Sequence, residues 1–283
     1  MTILGLDSRV RDLDDGTLAR MLMPRHGAID TNVYKLKIKV SYEPIYEPAE
    51  GVSVTIKQNN IKKTGITNKE GYICFSNIPC GAYYVEVAYT KKNKLVETAI
   101  NKKGSTDWAY KNQKEMYGEN SYKCNLYVYE MLIKSGYSFP LKKRTKIINS
   151  AIAIVTALTS IDGCSDGIQT EEYVPYSAED WALSKVPNTK KINYPEPGDI
   201  IAKNLPICLN ASGHVGIVTY PTPFRGFLKI DNSDKLFFIR MKRQSISAGD
   251  YKINEDTSNF WQHFYENSKE MKDIYFHRLV NKK

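Results

Sequence analysis

One cysteine and one histidine lie in sequence contexts that suit nucleophilic catalysis. Cys124 follows the polar, turn-prone residues 118–121 and precedes apolar residues at helical spacing over 126–132. This pattern predicts a helix that begins at the cysteine. The positive end of the helix dipole and the free amides of the first turn favour a thiolate there, and the same amides could hold an oxyanion.

A thiol nucleophile needs a base and a group that orients the base. His214 is the predicted base because it opens an apolar run, 215–220, that is typical of a buried strand. Asp231 is the predicted orienting residue. It ends the next apolar run, which we expect to pair with the histidine strand, and Asn232 is the alternative if the strand register is shifted by one residue.

Two residues next to the cysteine are candidates for substrate or oxyanion contacts. Tyr122 precedes Cys124 by two positions and Asn125 follows it directly. The phenol and the amide can both donate hydrogen bonds. Their alternative interpretation is that of ordinary surface neighbours.

Three short motifs together resemble bacterial cell-wall amidases and endopeptidases of the NlpC and CHAP type. They are Lys-Cys-Asn at 123–125, Pro-Gly-Asp-Ile-Ile-Ala at 197–202 and Gly-His-Val-Gly-Ile-Val at 213–218. The chain is most similar to the amidase effectors of type VI secretion, which also carry a tryptophan ahead of the cysteine, here Trp108, and a tryptophan-containing segment, here 176–181.

This resemblance implies a fold and a mechanism. The fold would be α+β, a papain-like cysteine hydrolase domain preceded by a small all-β sandwich. The cysteine would attack an amide of the peptidoglycan stem peptide, with the histidine as base, which gives these roles to Cys124 and His214. The same resemblance implies the orienting role for Asp231. We expect no cofactor and no metal, because the five cysteines lack Cys-x-x-Cys spacing.

The first part of the chain has a different pattern. Polar and apolar residues alternate as in strands over 36–40, 52–56 and 83–88. Its turn signals resemble the transthyretin-like or carboxypeptidase-regulatory type of β-sandwich, which implies an adaptor or spacer. The predicted organisation is a lead or docking segment at 1–33, a sandwich at 34–98, a linker at 99–106 and the papain-like amidase domain at 107–283. Within the last of these, we predict helices over 107–117 and 142–159.

Composition limits the setting in which such an enzyme would act. The chain has 283 residues, 42% of them hydrophobic and 25% charged, with a net charge of +9. We predict no membrane span and no Sec signal. The positive charge would attract an anionic polymer, and without a nucleic-acid motif we expect cell wall and no nucleic acid.

These expectations combine into an antibacterial effector. It would be made in the cytoplasm, secreted, and active in the periplasm or cell wall of a target bacterium. Its partners would be the peptidoglycan substrate, a cognate immunity protein and a secretion carrier that binds the N-terminal region.

Two other functions fit the same residues. One is a protease or deamidase toxin that uses the same Cys/His pair, and the other is a binding module that is catalytically inert. A serine-hydrolase elbow at Gly163–Gly167 is rejected, because a polar segment follows where a packed helix should begin.

Overall fold

The structure is a computed structural model that describes residues 33–43, 46–115, 117–148, 168–204, 213–231, 233–249, 252–255 and 274–280. The described chain divides into two compact units. Unit 1 takes the described residues up to Lys91 together with Tyr220–Arg243, and unit 2 takes the described residues of Lys92–Thr219 and of the chain from Gln244 onward.

Strands predominate in both units. In chain order the elements are β1 (Val33–Glu43), β2 (Glu47–Pro48), β3 (Val52–Gln58), β4 (Ile61–Ile66), β5 (Tyr72–Pro79), β6 (Gly81–Tyr89), α1 (Lys94–Ile100), α2 (Cys124–Lys134), β7 (Lys142–Ile148), β8 (Ile168–Val174), α3 (Ala178–Ala182), β9 (Thr189–Ile192), β10 (Ile200–Asn204), β11 (Gly213–Thr219), β12 (Phe224–Ile230), β13 (Lys235–Lys242), β14 (Gln244–Ala248), β15 (Ile253–Glu255) and β16 (Ile274–Leu279).

Unit 1 contains two four-stranded sheets. In the first, β1 pairs with β13, β2 and β5, and the order of the second is β12-β6-β3-β4. The alternation that predicted the strands puts one side chain in two into a shared core, for example Ile38, Val54 and Val85, all fully buried. The other side chains of these strands face outward, and many of them are lysines.

The sequence predicted a continuous sandwich at 34–98, whereas unit 1 is discontinuous in the chain. β12 and β13 come from residues 224–242 and belong to this unit. β12 pairs antiparallel with β6, with Phe224 opposite Val87, and not with the histidine strand as predicted. β13 pairs parallel with β1. Local periodicity could not reveal either pairing, because the partners lie more than a hundred residues apart.

Unit 2 is built on an antiparallel six-stranded sheet of order β15-β14-β11-β10-β16-β9. Helices α2 and α3 contact its strands, and their buried residues share one core with Ile200, Val215 and Ile217 of the sheet. Ile201 and Val218 lie on the opposite side of the pleat in a second, smaller cluster. The sheet is therefore covered by apolar contacts on both faces.

The prediction of a papain-like α+β fold is wrong. The described residues are mostly in strands arranged as several antiparallel sheets, and their three helices have 7, 11 and 5 residues. The predicted helix over 107–117 is a series of turns. Residues 142–148, expected to begin a helix, form β7 and pair with β8. Only Ile147 and Ile148 are apolar in this stretch, so its local pattern does not favour one structure, and cross-strand pairing decided it.

The structure also bears on the predicted helix at Cys124 and on the predicted absence of a membrane span. The predicted helix at Cys124 is confirmed, and it ends before Gly136, whose φ of 89° is typical of a glycine that follows a helix. Residues 149–167, which include the rejected Gly163–Gly167 elbow, lie outside the described residues. No described helix is long and apolar enough to cross a membrane.

Candidate functional site

Cys124 is the first residue of α2, as its sequence context predicted. Only 5% of the residue is exposed. The backbone N–H groups of Val215, Asn125 and Cys124 itself lie close enough to the sulfur to lower the pKa of the thiol. Two of these donors belong to the free first turn of the helix and the third to β11, which joins the helix start to the sheet.

Burial and hydrogen bonding act in opposite directions on this thiol. Burial raises the pKa of Cys124, and the three backbone donors lower it by less. The net pKa lies above the ordinary value, so the resting residue is a thiol. Proton removal from Cys124 therefore needs a base.

Lys123, the residue before the cysteine, is almost fully buried. Its ammonium donates to the backbone carbonyls of Ala109 and Tyr110, both at 3.3 Å, and of Ser121 at 2.9 Å. Burial lowers the pKa of this amine. These three hydrogen bonds from Lys123 thus hold the segment 109–121 against the start of α2.

A second interaction in the same loop involves Asn125. Its side-chain amide donates to the Tyr117 hydroxyl at 2.7 Å. Burial raises the pKa of Tyr117 above its usual value, and the nearby Cys124 sulfur adds to the rise. The Asn125 hydrogen bond opposes that rise and positions the phenol near the thiol, which is a more specific arrangement than the sequence predicted for Asn125.

His214 lies on β11, as predicted, directly before the Val215 amide that reaches the sulfur. Its Nε2 shares a hydrogen bond of 2.9 Å with the Ser247 hydroxyl on β14. Val215 and Ile217 face the helices, so alternation puts the His214 side chain toward the other side of the pleat. The register of β11 with β14 starts at Ile217 and does not include Val215. The Val215 N–H is the group that lies near the sulfur.

The predicted orienting residue lies in the other compact unit. Asp231 follows β12 in unit 1, is largely exposed and forms an ion pair with Lys235 at 2.8 Å. The Lys235 hydrogen bond lowers the pKa of this carboxyl. Asn232 lies outside the described residues. Within unit 2, Ser247 makes the contact to the imidazole that the sequence assigned to Asp231.

The other predicted positions are distributed around α2. Tyr122 is exposed, and its ring lies 4.8 Å from that of Tyr110. Trp108 is buried against α2, where its indole donates to Glu130 at 3.2 Å and its ring meets Tyr127 edge to face. Trp108 therefore supports the helix, and Tyr122 is open to a ligand.

Asp199 of the Pro-Gly-Asp motif has a structural role. Its carboxylate accepts from the Glu196 backbone at 2.6 Å and from Arg278 at 3.0 and 2.9 Å. Burial raises its pKa, and Arg278 opposes that effect. Within the described ranges, no group of three or more His, Cys, Asp and Glu side chains could hold a metal ion.

A further buried histidine was not predicted to matter. His277 on β16 is fully buried, and neither ring nitrogen has a well-formed hydrogen bond among the described residues. It packs edge to face against Trp181, whose own ring stacks on Phe139. Burial, with Lys191 adding to it, lowers the pKa of His277 to about 4.

An open depression of 390 Å³ lies in the loop before the cysteine. Its lining comes from Asp107, Lys111, Asn112, Gln113, Lys114 and Glu119. These side chains are polar, and Cys124 does not belong to the lining. The depression is therefore separate from the thiol.

Sequence reasoning missed Tyr117, Ser247 and the anchoring role of Lys123. Ser247 had a usable signal, because the alternation of Gln244 to Ala248 is typical of a strand with polar residues on one face. The partner of that strand is β11, and no local pattern names it. No sequence signal indicated that Lys123 is an anchor, since a lysine is rarely buried.

Comparison with known proteins adds little to this geometry. No family model and no curated protein matches the chain. Among solved structures, one match is the Bacillus anthracis TIE protein, with a TM-score of 0.19 and 10% identity. That match covers 75% of this chain and 50% of the other, so the chain spans half the length of that protein. A TM-score of this size supports no argument about fold or function.

Proposed function

We propose that the chain is a cysteine-dependent hydrolase in which Cys124 attacks an amide bond. The observation that carries this proposal is the position of Cys124 at the start of α2, where the backbone N–H groups of Asn125 and Val215 lower the pKa of its thiol. Donors fixed by a helix start and a strand can stabilise a thiolate, and after attack they can stabilise an oxyanion, without reorganising.

His214 is the base in this proposal, with Ser247 in place of Asp231 as the residue that orients it. The hydrogen bond between His214 Nε2 and the Ser247 hydroxyl sets the orientation of the imidazole in this structure. Strand alternation directs the His214 imidazole to the face opposite Val215, away from the core that contains Cys124, so the proposal requires the imidazole to reorient before it accepts the thiol proton.

The reaction then proceeds through an acyl-enzyme. The thiol proton passes to His214 as the sulfur attacks the carbonyl carbon, and the same proton goes to the leaving amine when the C–N bond breaks. Water, deprotonated by His214, then cleaves the thioester and returns the thiol. The hydroxyl of Tyr117, supported by Asn125, is a further donor on the same side of the helix start.

The proposed substrate is the peptidoglycan stem peptide, and the proposed setting is an antibacterial effector with an immunity partner. Both come from the resemblance of the three motifs around Cys124, Asp199 and His214 to cell-wall amidases. The same residues also suit a protease or deamidase toxin, and the choice of substrate distinguishes these functions.

The test is release of soluble fragments from purified peptidoglycan, followed by mass spectrometry. We expect fragments with the wild-type chain and with Cys74→Ala, the control for loss of an exposed thiol, and none with Cys124→Ala. Intact peptidoglycan from several wall types after treatment with the wild-type chain would contradict the proposal.

A second candidate function is a binding module without catalysis. The burial of Cys124 and its raised pKa favour it, because an inert core cysteine has both properties. Iodoacetamide distinguishes the two functions. A nucleophile assisted by His214 alkylates at a rate that falls in His214→Ala, whereas an inert Cys124 reacts equally slowly in both proteins.

A further inference from the structure

One outward sheet face in unit 1 combines positive charge with exposed apolar side chains. It belongs to β13, β1 and β5, whose inward side chains form the sandwich core. We call this surface the basic face and define it by Lys37, Lys39, Tyr72, Leu236, Phe238 and Arg240. It lies outside the unit that contains Cys124.

Strand register interleaves the two kinds of side chain. Lys37 is opposite Leu236 and Lys39 is opposite Phe238 across the parallel pair of β1 and β13. Leu236 and Phe238 are 47% and 55% exposed. Large apolar side chains on a hydrogen-bonded sheet, exposed to this extent beside cations, are typical of a surface that binds a partner.

In the strand register, no carboxylate lies opposite the cations at the centre of the basic face. The Nζ atoms of Lys37 and Lys39 lie 4.2 and 5.0 Å from the Tyr72 ring centroid, so both ammonium groups are positioned over the ring. Carboxylates occur toward the ends, where Glu43 pairs with Lys242 in the register and Asp234 accepts from the Lys35 backbone. The field over the middle is therefore positive.

We propose that the basic face binds peptidoglycan, the polymer that unit 2 is proposed to cleave. Stem-peptide carboxylates would pair with Lys37, Lys39 and Arg240, and the sugar rings would pack on Phe238 and Leu236. Cations two residues apart on one strand are about 7 Å apart, and they form a row suited to a repeating acidic polymer. This choice of polymer rests on the proposed function.

Single-stranded nucleic acid is the competing polyanion, and the rings of the basic face argue against it. Non-specific binding of single strands relies on successive open aromatic rings. Phe238 is open, but the two lysines cover Tyr72. One open ring supports contact with a sugar better than a stack of bases.

The first experiment measures co-sedimentation of the full chain with insoluble peptidoglycan, using Cys124→Ala as the background so that binding is separated from cleavage. We expect Lys37→Glu with Lys39→Glu to weaken binding about tenfold. Arg240→Glu is a second variant on the other strand. The matched control is Lys57→Glu with Lys62→Glu, a pair on β3 and β4 with the same change in charge.

The second experiment uses Cys74 as a reporter inside the basic face. Cys74 is exposed and lies opposite Lys37 in the register of β5 with β1. Soluble peptidoglycan fragments should slow its alkylation severalfold in the Cys124→Ala chain. Unchanged alkylation, equal loss of binding in the control variant, or tighter binding to single-stranded DNA of matched charge would each overturn the proposal.

The two proposals fail separately in these experiments. If the wild-type chain releases no fragments while charge reversal abolishes sedimentation, the hydrolase is wrong and the binding face stands. If fragments appear and charge reversal leaves binding unchanged, the binding face is wrong and the hydrolase stands.

Discussion

Unit 1 and unit 2 accommodate buried polar groups in different ways. Unit 1 buries Glu47 against Arg243, two opposite charges in contact, within an apolar sandwich. Unit 2 also buries the carboxylates of Asp180 and Asp199 against cations. Unlike unit 1, it further buries Lys123, Cys124 and His277, whose contacts are with backbone groups or aromatic rings. Groups whose pKa values are perturbed by burial cluster at functional sites. The difference suggests that unit 1 is organised for stability and binding, and unit 2 for chemistry.

The largest expected effect tests the unit 1 side of this comparison. Arg243→Ala leaves the Glu47 carboxylate buried without its cation, and we expect a loss of about 3–5 kcal/mol in the free energy of unfolding. Urea unfolding followed by circular dichroism measures it. Replacing both residues, Glu47→Gln with Arg243→Met, should cost clearly less. An equal cost would mean that the charge pair is not the stabilising feature.

The next effect concerns His277 in unit 2. Its folded pKa of about 4 lies below the usual 6.5, so the unfolded chain binds the proton more readily. Stability is therefore complete above pH 6.5 and falls as the pH drops toward 4, by about 3 kcal/mol in all. Tryptophan fluorescence during urea unfolding follows unit 2 through Trp108 and Trp181.

The control for that pH dependence is His277→Leu. Carboxylates that titrate below pH 5 affect both proteins, so the difference between them isolates the histidine. A wild-type and a variant chain that lose the same free energy between pH 7 and pH 4 would contradict the assignment.

A smaller effect would sharpen the proposed site. Ser247→Ala removes the hydrogen bond to His214 Nε2, and we expect kcat on peptidoglycan to fall about tenfold with KM unchanged. Ser245→Ala is the matched control on the same strand. A structural role for Ser247 would instead lower the stability and leave kcat per folded molecule unchanged.

The smallest effect tests the helix that bears Trp181. The Ser177 hydroxyl accepts from the Asp180 backbone at 3.1 Å in a capping box that starts α3. Ser177→Ala should cost about 1 kcal/mol in urea unfolding, and Ser177→Asn should restore part of it. A neutral Ser177→Ala would mean that packing alone holds α3.

The sequence predicted the features that depend on neighbouring residues. The helix start at Cys124 and the strand that His214 opens are local patterns, and both are present. The fold class was wrong because long-range pairing decides it.

The parts that failed share a physical cause. β12 pairs with β6 across more than a hundred residues, so the run before Asp231 was assigned to the wrong partner. The contact of Ser247 with His214 also depends on two strands meeting in space. Periodicity shows which side chains share a face, but it does not identify the strand that lies next to them.

The most direct measurement of the central proposal is the intact mass of the chain after brief incubation with a stem peptide and quenching in acid. Trapping an acyl-enzyme identifies the nucleophile without relying on product release. We predict an increase by the mass of the acyl fragment, mapped by peptide digestion to Cys124 and absent in Cys124→Ser. An unmodified Cys124 during turnover, or an acyl group on another residue, would contradict the account.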